Sequence, residues 1–167
     1  IYGKSLLTNF YEDKDRWSYT FQNFAYITRL MELDRAKKTG KKIIITERSV
    51  LTDRNVFAKM LNASGHINSL EMDIYKYWYG YFDTNVTHTV YLKTSVDNCL
   101  ARIKNRGRES EASIIPEYLA ELENEHDQWL VGDHKATILN GNLNFLENTK
   151  HKDWLVKTFR DCVDNLK

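Results

Sequence analysis

The sequence predicts an α/β fold in which helices cover both faces of a parallel β-sheet. Short runs of β-branched and aromatic residues alternate with longer segments whose apolar residues recur every three or four positions. The strand-like runs are nearly unbroken, which is typical of strands buried on both faces. With 167 residues, 42% of them hydrophobic, the chain is long enough to bury such a core without disulfides or a structural metal. We expect one three-layer α/β/α domain over residues 1–167.

The first two elements follow from spacing and stop signals. Residues 15–38 predict one long helix, because aromatic and aliphatic side chains recur there at three and four. Gly40, which follows Lys37 and Lys38, suits the C-terminal end of that helix. The next run, Lys42 to Thr46, is short and β-branched and predicts a buried strand.

Seven more elements are predicted along the rest of the chain from the same periodicities. The second of these helices is rich in Tyr and Trp, and we interpret it as a core-facing and partner-facing helix rather than a base-stacking platform. The elements are helices 50–63, 68–83, 95–106, 116–130 and 145–166 and strands 87–93 and 136–139.

Charge and cysteine content exclude several function classes. The chain carries 24 Lys and Arg against 23 Asp and Glu, a net charge of +1, which argues against a nucleic-acid-binding protein. Cys99 and Cys162 stand far apart, so neither a disulfide framework nor a Cys-based zinc site is expected, and a reducing compartment is favoured. No apolar run approaches the ~18 residues of a membrane span, and no signal peptide is recognisable. We expect a cytoplasmic protein; mitochondria and the cytoplasm of a virus-infected host remain open alternatives.

Charged residues follow the first predicted strand. Ligands of parallel α/β folds bind beyond the carboxyl ends of strands, where Glu47 and Arg48 lie. A carboxylate there suits Mg²⁺, and a guanidinium suits phosphate oxygens. The alternative is that Ser49 caps the next helix while Glu47 and Arg48 are solvated flanks.

A second group of cations ends the helix after the next strand. Arg102 and Arg106 are four residues apart and share a helix face, and Arg108 follows Gly107. Such a set suits a mobile clamp on a transferring phosphoryl group. The alternative is that cations simply favour a helix C-terminus. On the long first helix, Gln22 and Arg29 are two turns apart on one face, and the Gln amide suits the edge of a nucleobase.

Taken in order, these residues resemble the deoxyribonucleoside kinase family. The similarity spans most of the chain with family-like spacing. Its segments are Tyr11-Glu12-Asp13-Lys14-Asp15-Arg16-Trp17-Ser18-Tyr19-Thr20-Phe21-Gln22, Glu47-Arg48-Ser49-Val50, Asp53-Arg54 with Phe57, Cys99-Leu100 with Arg102-Ile103, Arg106-Gly107-Arg108 with Glu111, Ile115-Pro116-Glu117-Tyr118-Leu119, and His126 with Trp129-Leu130.

The resemblance implies a P-loop kinase fold and transfer of the γ-phosphoryl of ATP, or of another nucleoside triphosphate, with Mg²⁺, to the 5′-hydroxyl of a deoxynucleoside. It also implies a homodimer paired through helices and a role in nucleotide salvage. The implied roles are as follows: Gln22 reads the base, Phe57 stacks on it, Phe21 and Leu7 line the pocket, Tyr11 and Glu111 hold the sugar 3′-hydroxyl, Glu47 serves Mg²⁺, Arg48 contacts the 5′-hydroxyl and phosphates, Arg102, Arg106 and Arg108 form a lid over the donor, and Asn144 and Phe145 lie where the donor base is held.

The resemblance also concerns base choice. The branch of the family that accepts deoxycytidine and purine deoxynucleosides has an arginine and an aspartate where this chain has Arg29 and Asp53. We therefore expect deoxycytidine, deoxyadenosine or deoxyguanosine to be preferred over thymidine.

The family's first strand with its phosphate-binding loop, and the second strand with the general base, have no counterpart in these 167 residues. We interpret the sequence as the C-terminal part of a kinase domain and expect it to be inactive by itself. Two alternatives remain from the sequence: a catalytically inactive nucleoside-binding protein and a nucleoside monophosphate kinase. The second is disfavoured because a carboxylate such as Glu111 would repel an acceptor phosphate.

Overall fold

The chain begins with two helices that meet at a capping aspartate. The computed structural model describes residues 5–82, 85–108 and 111–165. Helix α1 (Leu6–Glu12) begins where the Ser5 side chain accepts a hydrogen bond from the Thr8 backbone N–H. Helix α2 (Lys14–Lys38) begins where Asp13 accepts one from the Arg16 N–H at 3.0 Å. The extended backbone of Asp13 separates the two helices and satisfies an otherwise unpaired donor of α2.

The helix predicted at 50–63 contains a π-helical segment. It runs as α3 (Val50–Thr52), a π-helix (Asp53–Ala58) and α4 (Lys59–Ala63). Helix α5 (Ser69–Tyr81) follows after a turn and begins with a capping box. These elements lie in the first of two compact units, Ile1–Asn85.

The core of the first unit is aromatic and aliphatic, and α2 supplies its long wall. Helix α2 packs against α1, α3 and the π-helix. The rings of Tyr26 and Tyr75 lie 5.5 Å apart at its centre. The buried core side chains are Phe10, Tyr26, Val50, Ala58, Leu61, Ile67, Met72, Tyr75 and Tyr79.

The second unit, Val86–Lys167, is built on a parallel pair of strands. Strand β1 (Thr89–Lys93) pairs with β2 (Ala136–Asn140) in one register, from Thr89 opposite Ala136 to Lys93 opposite Asn140. Its helices are α6 (Val96–Arg106), α7 (Pro116–Leu130) and α8 (Thr149–Asp164), and α6 packs against α7. The alternation of helices with parallel strands confirms the predicted α/β class.

The predicted strand at Lys42 to Thr46 is wrong. This segment is irregular and pairs with no strand in the part of the chain that the structure describes. A strand requires a neighbour for its backbone hydrogen bonds, and β-branched composition does not provide one. Ile45 is accordingly 63% exposed rather than buried.

The closing helix also starts later than predicted. The expected start at residue 145 moves to Thr149, because Asn144 and Asn148 cap a turn and the helix in succession. The predicted helix ends at residues 83 and 166 lie outside the described residues. Among the helices described here, none combines the length and the apolar character that a membrane crossing requires.

The turn after β2 depends on a residue without a side chain. A Cβ on Gly141 would collide with Thr94 Oγ1 and would lie 2.9 Å from Leu92 Cγ and 3.0 Å from the Lys93 carbonyl oxygen. The Gly141 N–H donates to that same carbonyl at 2.7 Å. The close approach therefore fixes the backbone that follows β2 against the end of β1.

We expect Gly141→Ala to lower the free energy of unfolding by about 1–3 kcal/mol, because backbone and branched side chains cannot move aside cheaply. Gly80→Ala is the matched control: Gly80 lies in α5, and its added Cβ has nothing within 4 Å. We expect that control to be neutral or stabilising by up to about 1 kcal/mol. Urea unfolding of both variants makes the comparison, and equal stabilities would refute this role of Gly141.

Candidate active site

The loop before α3 holds Arg48 in a strained backbone conformation. Its φ angle is 59°, a left-handed value that costs a non-glycine residue roughly 1–2 kcal/mol. The Thr46 hydroxyl donates to the Arg48 carbonyl at 2.8 Å, and the guanidinium lies 4.9 Å from the centre of the Phe57 ring. Glu47 is exposed beside it. Backbone strain of this kind is concentrated at binding and catalytic sites, where it fixes the direction of a side chain.

The π-helix places Asp53 against α2. Its side chain is only 3% exposed, and Oδ2 lies 3.2 Å from Arg29 Nε. The residues expected from the resemblance to pair at the pocket do meet in the structure. Single π-helical turns inside α-helices are frequent at functional sites, and nothing in the spacing of apolar residues predicts this one.

Burial dominates the protonation of Asp53. It raises the pKa of the carboxyl group to about 6, against the opposing charges of Arg29 and Arg48. The charge of Arg48 therefore acts on Asp53, which links the strained loop to the buried pair. Arg29 lies on α2 and Arg48 lies on the loop. Removing either arginine would leave the negative charge of Asp53 less well compensated.

Gln22 carries a buried amide on α2. It is 2% exposed, and its Oε1 has no hydrogen-bond partner among the described residues. An unpaired buried acceptor costs about 1–3 kcal/mol unless something donates to it. Ser18, one turn earlier on α2, is also fully buried with an unpartnered hydroxyl within the described ranges. The sequence predicts that Gln22 and Arg29 share one face of α2, but it does not predict that the Gln22 side chain is buried.

The remaining predicted pocket residues of the first unit lie on α1 and on α2. Leu7, Tyr11 and Phe21 are partly buried and pack against the core. Phe10 connects them, because its ring stacks on Phe21 at 4.7 Å and meets Tyr11 at 5.1 Å. Phe10 is not one of the predicted site residues, although its position directly before Tyr11 is a signal that could have identified it.

In the second unit, two of the predicted lid arginines hold one carboxylate. Arg106 donates to Glu111 Oε2 from Nε at 3.0 Å and from Nη2 at 2.5 Å, and Arg108 Nη1 lies 3.4 Å from Oε1. Gly107 ends α6 in the left-handed conformation and so separates the two arginines. The arrangement keeps both cations together around a side chain that is 11% exposed.

Arg102, the third predicted lid arginine, contacts the turn after β2. Its Nη2 donates to the Gly141 carbonyl at 2.6 Å, and therefore braces the turn after β2. Asn142 in that turn accepts from the Ser95 N–H at 2.8 Å, a contact for which the sequence carries no signal. Of the predicted donor-base residues, Asn144 caps the Leu146 N–H and Phe145 is exposed.

Comparison with known proteins identifies the family. The sequence model of one family, described as deoxynucleoside kinase, matches residues 2–164. The chain belongs to the deoxynucleoside kinase family. It therefore has the P-loop kinase-like α/β fold of that family, and the observed helices and parallel strands fit it. Its class of activity is kinase, a transferase that phosphorylates nucleosides.

Individual relatives agree with the family match. A probable deoxycytidine kinase of fowlpox virus (strain NVSL) is 33% identical over 174 residues, covering 98% of this chain and 74% of the relative. The deoxycytidine kinase of Homo sapiens is 35% identical over 140 residues, covering 77% of this chain and 54% of the relative. The mitochondrial deoxyguanosine kinase of Xenopus laevis is 33% identical over 137 residues, covering 75% and 52%. These alignments span about half of the human and Xenopus kinases and about three quarters of the viral kinase.

The buried carboxyl group makes the stability of this kinase depend on pH. Because folding raises the pKa of Asp53 to about 6, the folded state binds more protons than the unfolded state between about pH 4 and 6. The contribution of Asp53 to the free energy of unfolding is therefore full below pH 4 and is lost as the pH rises to 6. We expect a loss on the order of 2–3 kcal/mol.

Asp53→Asn removes the titration, so the difference in stability between the two proteins reports Asp53 alone. We expect the natural chain to lose stability relative to Asp53→Asn as the pH rises from 4 to 6 in denaturant titrations. A difference that is flat or has the opposite slope would show that Asp53 is ionised in the fold at pH 4.

Proposed function

We propose that the enzyme transfers the γ-phosphoryl of ATP, or of another nucleoside triphosphate, to the 5′-hydroxyl of a deoxynucleoside, within nucleotide salvage. The observation that carries the proposal is the buried amide of Gln22, whose Oε1 lacks a partner among the described residues. An amide offers one acceptor and one donor side by side, as the edge of a nucleobase does. The names of the relatives, deoxycytidine and deoxyguanosine kinases, agree with a nucleoside acceptor.

The acceptor end of the site is formed by residues of the first unit. Gln22 reads the base edge, Phe57 stacks on the base, and Arg48 faces the 5′-hydroxyl and phosphates. The cation of Arg48 already lies over the Phe57 ring at 4.9 Å, so both are ordered by one contact. Leu7, Tyr11 and Phe21 supply the apolar and hydroxyl-bearing wall.

Glu47 fits the role of a Mg²⁺ ligand. Among the described residues no three or more carboxylates, histidines or cysteines are grouped to hold a metal by themselves. Mg²⁺ in phosphoryl-transfer enzymes needs only one or two carboxylates, because substrate phosphates and water complete its shell. The exposed carboxylate of Glu47 suits that arrangement. Bound Mg²⁺ would supply charge neutralisation to the phosphates.

The arginines of the second unit suit a phosphate lid. Arg106 and Arg108 are held on Glu111 by side-chain contacts, so an anionic phosphate competes for the same guanidinium donors. Arg102 braces the turn that carries Asn144 and Phe145, the residues that we assign to the donor base. The role of Glu111 at the sugar stays a prediction from the resemblance.

Cys99 and Cys162 are free thiols, in keeping with a reducing compartment.

The function of Arg48 is testable in a version of the protein that carries the family's phosphate-binding loop. We expect Arg48→Ala to lower kcat by roughly 10²–10³-fold, because it removes a charge that stabilises the transferring phosphoryl group. The free energy of unfolding should change little, because the Arg48 side chain is exposed and alanine keeps the Cβ that makes this φ angle costly. Arg35→Ala is the control, because Arg35 is exposed on α2 and pairs there with the equally exposed Glu32. Radiolabel transfer at the natural rate by Arg48→Ala would remove it from the site.

The choice of base is the most direct test of the acceptor site. We expect kcat/KM to be higher for deoxycytidine or a purine deoxynucleoside than for thymidine, because Arg29 and Asp53 fill the space of a 5-methyl group and offer hydrogen bonds. The double substitution Arg29→Met with Asp53→Ala should shift the ratio towards thymidine by roughly 10–100-fold. A preference of the unmutated enzyme for thymidine would overturn this assignment.

We also propose a homodimer formed through α5. Tyr77 and Tyr81 are 68% and 76% exposed, and Trp78 lies between them with nearly half of its surface exposed. A face with this aromatic content suits a subunit interface. We expect a dimer mass in sedimentation experiments at micromolar concentration, and a monomer for Tyr77→Glu with Tyr81→Glu. A monomer mass for the unmutated protein would refute the proposal.

A further inference from the structure

Helix α6, which carries two of the predicted lid arginines, is capped in part by a residue from a distant turn. Ser95 precedes the helix in extended conformation, and its N–H donates to Asn142 Oδ1 at 2.8 Å. Asn142 lies 47 residues further along the chain, in the turn after β2. Within the described residues, the Ser95 side chain makes no capping bond to the α6 backbone. The acceptor at the start of the helix is therefore supplied by that turn.

The corresponding acceptor of α5 is local. There the N-cap residue Asn68 donates its N–H to Glu71 Oε2 at 2.9 Å, which is one half of a capping box. In α6 the equivalent third helical position is Asn98, whose Nδ2 donates to Ser95 Oγ at 2.9 Å and to Asn142 Oδ1 at 3.2 Å. Asn142 Oδ1 thus takes the place of the capping-box acceptor and receives two hydrogen bonds from the start of α6.

Arg102 attaches the same helix to the same turn a second time. Its Nη2 donates to the Gly141 carbonyl oxygen at 2.6 Å and lies 3.5 Å from the Asn142 carbonyl oxygen. Arg102 lies seven residues after Ser95, which is roughly 10 Å along a helix axis. Two separate attachments fix the turn against α6 more strictly than one does, because a single contact still permits rotation about it.

The turn, residues 141–145, contains the two residues that we assign to the base of the phosphate donor, and we call it the donor-base turn. Asn144 and Phe145 follow Asn142 by two and three residues. The other end of α6 leads into Arg106 and Arg108. The residues assigned to the donor base and the lid arginines are thus connected through one short set of hydrogen bonds.

We propose that Asn142 is a positioning residue for the phosphate donor: its Oδ1, together with Arg102, holds the donor-base turn at a fixed position on the lid helix. The proposal rests on the proposed function, because it concerns how the nucleoside triphosphate is held. Asn142 itself contacts neither substrate in this assignment. Loosening the turn then weakens the binding of the phosphate donor and leaves the acceptor residues of the first unit unchanged.

Asn142→Ala removes the acceptor oxygen from the turn. In the version of the protein that carries the family's phosphate-binding loop, we expect the KM of ATP to rise about fivefold, the effect of one lost hydrogen bond. The KM of deoxycytidine, and kcat at saturating ATP, should stay within about twofold of the natural values, because Arg106 and Arg108 keep their contacts with Glu111. Asn142→Asp retains an oxygen acceptor and should preserve the natural KM of ATP.

Three outcomes of these measurements would overturn the proposal. They are an unchanged KM of ATP in Asn142→Ala, an equal rise of the KM of ATP and of deoxycytidine, and the same rise of the KM of ATP in Asn142→Asp as in Asn142→Ala.

Glu71→Ala is the matched control, because it removes the capping-box acceptor of α5 in the same way. It should leave both KM values within about twofold of the natural ones. An equal rise of the KM of ATP in Glu71→Ala and Asn142→Ala would show a general effect of losing a helix cap and would contradict a specific role of Asn142.

A double-substitution cycle with Arg102 tests whether the two attachments act together. Because release of either one frees the turn, Asn142→Ala should raise the KM of ATP by less than about twofold in the Arg102→Ala background. A rise there as large as in the natural background would show that the two contacts act independently, against the proposal.

Amide hydrogen exchange, measured by NMR, provides a readout that needs no nucleotide. The Ser95 N–H should exchange about tenfold faster or more in Asn142→Ala than in the natural protein, and at the natural rate in Asn142→Asp and Glu71→Ala. Unchanged protection of that amide in Asn142→Ala would contradict the contact. A natural enzyme that transfers no phosphoryl group to any deoxynucleoside would refute the proposed function while leaving the exchange result intact. Normal transfer with an unchanged KM of ATP in Asn142→Ala would refute this proposal alone.

Discussion

The burial of Asp53 beside Arg29 is the constraint that organises the polar side chains of the first unit. A carboxylate that is 3% exposed is costly in a protein interior, and the charges of Arg29 and Arg48 offset only part of that cost, because burial still raises the pKa of Asp53 to about 6. The π-helix brings that carboxylate to α2, and the strained loop brings Arg48 close enough to act on it. Helix α2 has to be continuous from Gln22 to Arg29, because it carries both side chains on one face.

Other polar atoms of the first unit are also buried without partners among the described residues. They include the hydroxyls of Ser18 and Tyr75 and the amide oxygen of Gln22. Such groups are costly in a protein whose only task is to fold. They become useful where a polar ligand or ordered water enters, and this is the property expected of a nucleoside site in a deoxynucleoside kinase. In the second unit, by contrast, the Arg102 guanidinium donates a hydrogen bond to the turn after β2.

The sequence predicts most helices because apolar spacing and capping residues act locally. It predicts both observed strands from their β-branched composition, but it fails at Lys42 to Thr46, where the composition is strand-like and the segment pairs with no strand among the described residues. It also predicts the shared face of Gln22 and Arg29. Three-dimensional features escape it: the π-helix, the left-handed Arg48 and the attachment of Arg102 to Gly141 depend on contacts between distant segments. The meeting of Arg29 with Asp53 was expected only through the family resemblance.

A crystal structure of the protein with bound deoxycytidine tests the account most directly. The account requires the base to lie against α2, with Gln22 Oε1 accepting a hydrogen bond from its amino group and with Arg29 and Asp53 beside its 5-position. Phe57 should stack on the ring. A structure in which Gln22 is satisfied by protein groups alone, with the nucleoside bound elsewhere, would contradict the central claim that the unpaired polar atoms of the first unit form the acceptor site.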